Sequence, residues 1–199
     1  RPRVFVSGSA IGFYGSRGDA ILTEQAEPDD GFLAKVVREW ENASAPASDA
    51  GVRTVNVRTA LVLGDGGLLP LTALPFRLFV GGPLGSGDQW WSWIAIEDEV
   101  RAIMHCIDNE ALEGPINLSS PDPVTNATFA DTLGKVLGRP SWFKVPAPVL
   151  ELVLGREAAS DLILASQRVI PEKLLASGFE FRYPELERAL RKALGKGDD

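Results

Sequence analysis

The chain has 199 residues, of which 45% are hydrophobic and 24% charged, with a formal net charge of −7. That length suits one domain, or one domain with a small appendage, and an acidic balance without a basic stripe argues against a nucleic-acid surface. Cys106 is the single cysteine, so an internal disulfide and a cysteine-based metal cluster are both excluded; no apolar run approaches the roughly 20 residues of a membrane span, and no signal-peptide core opens the chain, so the expectation is a cytoplasmic protein without a membrane or metal partner.

The first element is "VFVSGSA", Val4 to Ala10, an apolar run with little alternation that ends in small residues. It reads as a central parallel strand covered on both faces. In open α/β sheets the loops leaving the carboxyl ends of strands form the ligand crevice, which makes Ser7, Gly8, Ser9 and Tyr14 candidates for binding or chemistry. Serines also end strands simply by bonding nearby backbone. In "FLAKVVREWENASA", Leu33, Val36, Val37 and Trp40 recur at helical spacing behind the acidic pair Asp29 and Asp30. "GVRTVNVRTALVLG" reads as a second strand running into a glycine-rich loop, Gly64 to Gly67, and completes a strand, helix, strand unit whose default is a right-handed parallel crossover. Arg58 lies inside this apolar strand and demands a partner, either a carboxylate of the fold or an anionic ligand.

The loop "GGPLGSGDQWWSW", residues 81–93, lacks the Lys-Ser/Thr that completes a phosphate-binding P-loop. Its glycines and tryptophans suit either a backbone held against a flat ligand or a tight turn plugged by aromatics. "EDEVRAIMHCIDNEAL" is helical, with Val100, Ile103, Met104 and Ile107 on one face, and "GPINLSS" returns as a strand. Glu97 and Asp98 stand where a helix start can use them for its own backbone donors. A serine hydrolase with Ser9 as nucleophile and His105 as base fails, because the Gly-x-Ser-x-Gly elbow is missing and the only histidine sits in a helical run. A carboxylate hydrolase stays open as a third class. From Val124 the pattern turns to helices punctuated by Pro140, Pro146, Pro148, Pro171 and Pro184, so the chain divides into an α/β part, residues 1–123 with a long loop region at 65–93, and a small, mainly helical lobe, residues 124–199.

Taken together, "VSGSAIGFYGSRGD", "FLAKVVREWE", "VRTALVLGDGG", "GGPLGSGDQWWSWIAIEDEV", "GPINLSSPDPVTNATFADTLGKVLGRP" and "ASQRVIPEKLLASGFEFRYP" resemble the atypical extended short-chain dehydrogenases/reductases known as the epimerase family, or nucleoside-diphosphate-sugar epimerases, over practically the whole chain. The resemblance implies a Rossmann-type doubly wound parallel sheet, binding of NADP or NAD, and a small-molecule substrate of the nucleotide-sugar kind handled by redox or redox-assisted isomerisation. The Gly-x-x-Gly-x-x-Gly βαβ unit that opens such proteins is absent, so this sequence resembles their C-terminal two-thirds, and an upstream dinucleotide-binding segment is an expected partner.

Carried over by position, Ser9 and Tyr14 are the catalytic candidates, Ser7, Gly8, Arg58, Ala60 and Val62 the cofactor neighbours, and Gly85, Ser86, Gly87, Gln89 and Trp93 the substrate side. The family's Tyr-x-x-x-Lys relay, in which lysine lowers the tyrosine pKa, is missing. Aligning Glu41 with the family's helix glutamate puts Leu33 and Val37 in those positions, and sliding by one gives Phe32 and Val36. Ala95 likewise stands where many relatives carry histidine. The alternative function is therefore a non-catalytic NAD(P)-binding regulatory protein.

Overall fold

The computed structural model describes residues 2–197. In chain order the elements are β1 (Val4–Ala10), a 3₁₀ turn (Ile11–Tyr14), β2 (Ile21–Leu22), α1 (Phe32–Asp49), β3 (Arg53–Thr59), β4 (Leu61–Leu63), α2 (Leu68–Arg77), β5 (Trp90–Trp91), β6 (Trp93–Ala95), α3 (Ile96–Asp108), β7 (Gly114–Leu118), β8 (Val124–Thr125), α4 (Asn126–Leu137), α5 (Ala147–Leu154), α6 (Arg156–Ala158), a π turn (Ala159–Ile163), β9 (Arg168–Val169), α7 (Glu172–Ala176) and α8 (Leu186–Ala193).

The main sheet has the order β1-β3-β7, and both pairs are parallel. Two crossovers build it, through α1 and through α3, as the strand and helix periods predict. The fold is α/β, a Rossmann-type parallel sheet with a mainly helical C-terminal part. Along β3, Val55 and Val57 face the core that contains Ala102 and Cys106 of α3, while Arg58 reaches Glu41 of α1, so the two helices cover opposite faces.

The strand expected over "VNVRTALVLG" is two strands. The chain leaves the main sheet at Ala60, whose N–H donates to the Leu118 carbonyl, and Leu61 to Leu63 then pair with Trp93 to Ala95 in a separate parallel ladder. The break opens the sheet where β1 and β3 end. Helix α3 also departs from expectation. Its buried face is Asp98, Glu99, Ala102 and Cys106, whereas Val100 and Met104 are each about half exposed. Arg53 of β3 donates to the carbonyls of Cys106, Ile107 and Leu112 and so closes the C-terminal end of α3.

The helical segment after Val124 shares its core with the elements before it. Phe129, Leu133, Leu186 and Leu190 pack with Leu63, Leu69, Phe76, Trp91 and Trp93. Asp98, expected to serve its own helix, is fully buried and accepts from the backbone N–H groups of Arg182 and Tyr183, which fastens the C-terminal segment to α3. Among the described residues no helix is long and apolar enough to cross a membrane, and no cluster of three or more His, Cys, Asp or Glu could hold a metal ion.

Candidate functional site

Register sets the polar row at the end of the sheet. Ser9, Arg58 and Asn117 are mutual partners across β1, β3 and β7. Arg58 donates to both carboxylate oxygens of Glu41 at 2.8 Å, and Ser9 Oγ donates to Glu41 Oε1 at 2.6 Å. On the other side Arg58 Nη1 donates to Tyr14 Oη at 3.0 Å, and that hydroxyl donates to Asn117 Oδ1 at 2.6 Å. The guanidinium also lies 3.4 Å from the centroid of the Phe13 ring. Nε, Nη1 and Nη2 of Arg58 each donate to a side chain of the fold.

The structure gives each residue assigned by position a definite environment. Tyr14 is fully buried, and burial raises its phenol above the ordinary value although Arg58 pulls the other way. A proton shuttle needs the opposite shift and access to the ligand. Tyr14 and Ser9 thus hold the sheet end together. Arg58 is a buried cation paired to Glu41. Trp93 has no exposed surface and donates from its indole to the Asp122 carbonyl. Gln89 is spent on the carbonyls of Leu84 and Ile163. Gly85 and Gly87, both at positive φ, pack on Leu164 and on Pro83 and Ala127, while Ser86 is exposed and accepts from the Asp88 N–H. Ser7 is half-buried, Gly8 faces open space, and Val62 packs against the core beneath α3. His105 bonds Ser177 Oγ through Nε2, which ends the serine-hydrolase reading.

The concave site lies beside this row. A crevice of about 560 Å³ opens at the ends of β1 and β3, walled by Ala10, Ile11 and Gly12, by Thr59 to Leu61, by one face of α1, by Trp90 to Ser92 and by residues from 158 to 167. Of the twelve site residues expected from sequence, only Ala60 lines it. The helical stripe Leu33, Val36, Val37 and Trp40 of α1 forms a crevice wall, with Trp40 52% exposed, while Val37 also packs in the core with Phe13 and Leu22.

The floor comes from the C-terminal segment "ASQRV". Ser166 Oγ donates to the Gly18 carbonyl and accepts from the Trp90 N–H, Ser92 Oγ donates to the Gln167 carbonyl and accepts from the Val169 N–H, and Gln167 Nε2 donates to the Ile11 carbonyl. Position along the chain could not have joined these.

Thr59 connects the crevice to a buried acid. Its hydroxyl donates to Glu99 Oε1 at 2.7 Å, Glu99 Oε2 has no partner, and burial pushes this carboxyl up to about 7. At the other end a polar annex of about 270 Å³ shares Gly12, Leu33, Asp161 and Gln167 with the crevice and adds Ser16, Asp29 and Ser160.

Residues 145–193 match a family model described as a domain of unknown function, DUF1731. The chain is 37% identical to the epimerase family protein YfhF of Bacillus subtilis, over 98% of this chain and 64% of that protein. It is 36% identical to a crystal structure of the human epimerase family protein SDR39U1 with NADPH, at a TM-score of 0.91, covering 98% of this chain and 66% of that one. It is 41% identical to the nucleoside-diphosphate sugar epimerase from Corynebacterium glutamicum, at a TM-score of 0.79, covering 97% of this chain and 38% of that one. The chain thus spans about two thirds of the human chain and a little less of the Bacillus protein.

Proposed function

Because the chain belongs to the epimerase family of atypical extended short-chain dehydrogenases/reductases, we propose that the protein binds NADP or NAD with the nicotinamide end at the crevice where β1 and β3 finish, and acts there on a small molecule. The observation that carries this reading is the coincidence of that crevice with the carboxyl ends of parallel strands, together with the 0.91 TM-score to an NADPH-bound relative. Ala10, Gly12 and Ala60 are small, so the strand ends leave room for a flat ring. No lysine or arginine stands among the described residues of the wall, so the pyrophosphate would be held elsewhere in the protein. When bound, the reduced cofactor supplies a hydride to an electrophilic carbon. The residues of this chain orient the ring, exclude water through Leu33, Val36 and Leu61, and keep the crevice floor rigid through Ser92 and Gln167. The name of the Corynebacterium relative suggests one narrower form of the reading, redox-assisted isomerisation of a nucleotide sugar.

One observation favours a second reading, a non-catalytic NAD(P)-binding regulatory protein. Leu33 and Val37 line the crevice where the relay tyrosine and lysine would stand, and the nearby Tyr14 is sealed. The test is an NADPH titration, followed by quenching of the five tryptophans, in this chain and in the same chain carrying an upstream Gly-x-x-Gly-x-x-Gly βαβ unit. Saturable binding with that unit is expected; binding by neither rejects both readings. Cofactor turnover with any carbonyl compound then selects the first reading over the second.

A further inference from the structure

The crevice walls state what kind of molecule they accept. Trp40, Trp90, Trp91, Leu33, Leu68 and Leu162 supply broad apolar surface, and Leu68 and Leu162 remain 40% and 63% exposed at the mouth. The polar groups that could donate to a ligand are turned away. Thr59 gives its proton to Glu99, Ser92 to the Gln167 carbonyl, Trp90 Nε1 to Asp19 Oδ1 and Trp91 Nε1 to the Ile163 carbonyl. Among the described residues the indole N–H of Trp40 has no protein acceptor, and Gln167 Nε2, which gives one N–H to the Ile11 carbonyl, keeps its second, so the donors left for a ligand are few and uncharged.

Charge points the same way. A diphosphate is recognised by arginine, lysine or a free helix N-terminus. The described wall and annex contain no arginine, lysine or histidine, and they do contain Asp29 and Asp161. The N-terminus of α1 opens on the annex, but the Asp29 carboxylate already sits there and accepts from the Gly31 N–H at 3.0 Å. Arg17, next to Ser16, spends its guanidinium on the carbonyls of Tyr14, Glu27 and Pro28, and Arg168, next to Gln167, lies over the Trp90 ring at 4.2 Å. Arg168, whose Nε is buried without a partner, lies outside the lining, so among the described residues a doubly charged phosphate chain would meet carboxylates and no basic side chain on the wall or annex.

We propose that this crevice receives an uncharged, flat, apolar molecule of one or two rings, and not a nucleoside diphosphate sugar. The inference deepens the proposed function and rests on it, since a volume of about 560 Å³ leaves room for such a ligand beside a nicotinamide ring.

The experiment is a fluorescence titration of the full-length protein with N-phenyl-1-naphthylamine, a neutral aromatic probe, with and without saturating NADPH and with UDP-glucose as competitor. Saturable binding is expected in both conditions, weakened roughly tenfold or more by Leu33→Glu and by Trp40→Glu, each of which places a charge on a partly exposed wall position. UDP-glucose should leave the probe in place. Displacement by UDP-glucose overturns the inference, as does displacement by NADPH, which would make the slot the cofactor's own. Binding that both variants leave unchanged locates the probe elsewhere and overturns it too. NADPH binding without probe binding rejects this inference and spares the proposed function, while probe binding without NADPH binding does the reverse. Unchanged far-ultraviolet circular dichroism certifies that both variants fold.

Discussion

Arg58 shows how a residue chosen for its chemistry can be consumed by the fold. A guanidinium in an apolar strand has to be paired, and the in-register neighbours Ser9 and Asn117 fix the row in which Glu41 and Tyr14 meet it. Breaking one side strands a buried charge. Glu41→Leu should cost about 3–5 kcal/mol in urea unfolding, and Glu41→Leu with Arg58→Met should recover much of that loss, because the pair's desolvation vanishes with it. Tyr14→Phe leaves Asn117 Oδ1 and Arg58 Nη1 each short of a partner, so a loss of about 1–3 kcal/mol is expected with NADPH affinity unchanged; a collapse of cofactor turnover at unchanged stability would restore Tyr14 to the chemistry. Glu99 makes a pH prediction. Its carboxyl titrates near 7 in the folded protein against an ordinary 4.5, so between those values the folded state keeps a proton that the unfolded chain has lost. Stability therefore falls as pH rises through that window, by up to about 3 kcal/mol, and levels off above it. Glu99→Gln keeps an acceptor for Thr59 and should flatten the slope, leaving the variant the more stable at pH 8 in denaturant titrations at pH 5 and pH 8.

At the scale of elements, periodicity located α1, α3, α4 and the three sheet strands, because a 3.6-residue apolar repeat and a β-branched run are local properties. It did not decide which face of a helix is covered. The apolar stripe of α3 was legible as a stripe, yet Val100 and Met104 are exposed and the acids Asp98 and Glu99 are buried, since Thr59, Arg182 and Tyr183 happen to supply their partners. The break at Ala60 was likewise hidden, as a strand that changes sheets keeps the same sequence period. Close approach is decided at this scale as well. A Cβ at Gly82 would stand 2.6 Å from the Phe143 carbonyl oxygen, a backbone atom that cannot swing aside. Gly82→Ala should therefore part the segments 78–84 and 142–145 and lower stability by about 1–3 kcal/mol, read as a fall in the urea midpoint.

For the molecule as a whole, one core runs through both the strands β4 and β6 and the helices α4 and α8, with Trp93 wholly enclosed in it. Trp93→Ala should cost about 3–5 kcal/mol, and circular dichroism and tryptophan fluorescence should still melt together. Two separate transitions would show that the C-terminal helices fold apart from the sheet. The sequence by itself determined the class of the fold, the order of the main strands and helices and the family, all of which depend on local pattern or on motifs contiguous in the chain. Only the tertiary structure decided which residues face the crevice. Ser9 and Arg58 turn inward because register aligns them with Asn117 beneath Glu41, the 3₁₀ turn after β1 brings Tyr14 to the same row, and Leu33, Trp40, Trp90 and Gln167 meet across the opening because α1, β5 and the segment before β9 converge there. Both outcomes are contacts between residues far apart in the chain, and no short-range period encodes them.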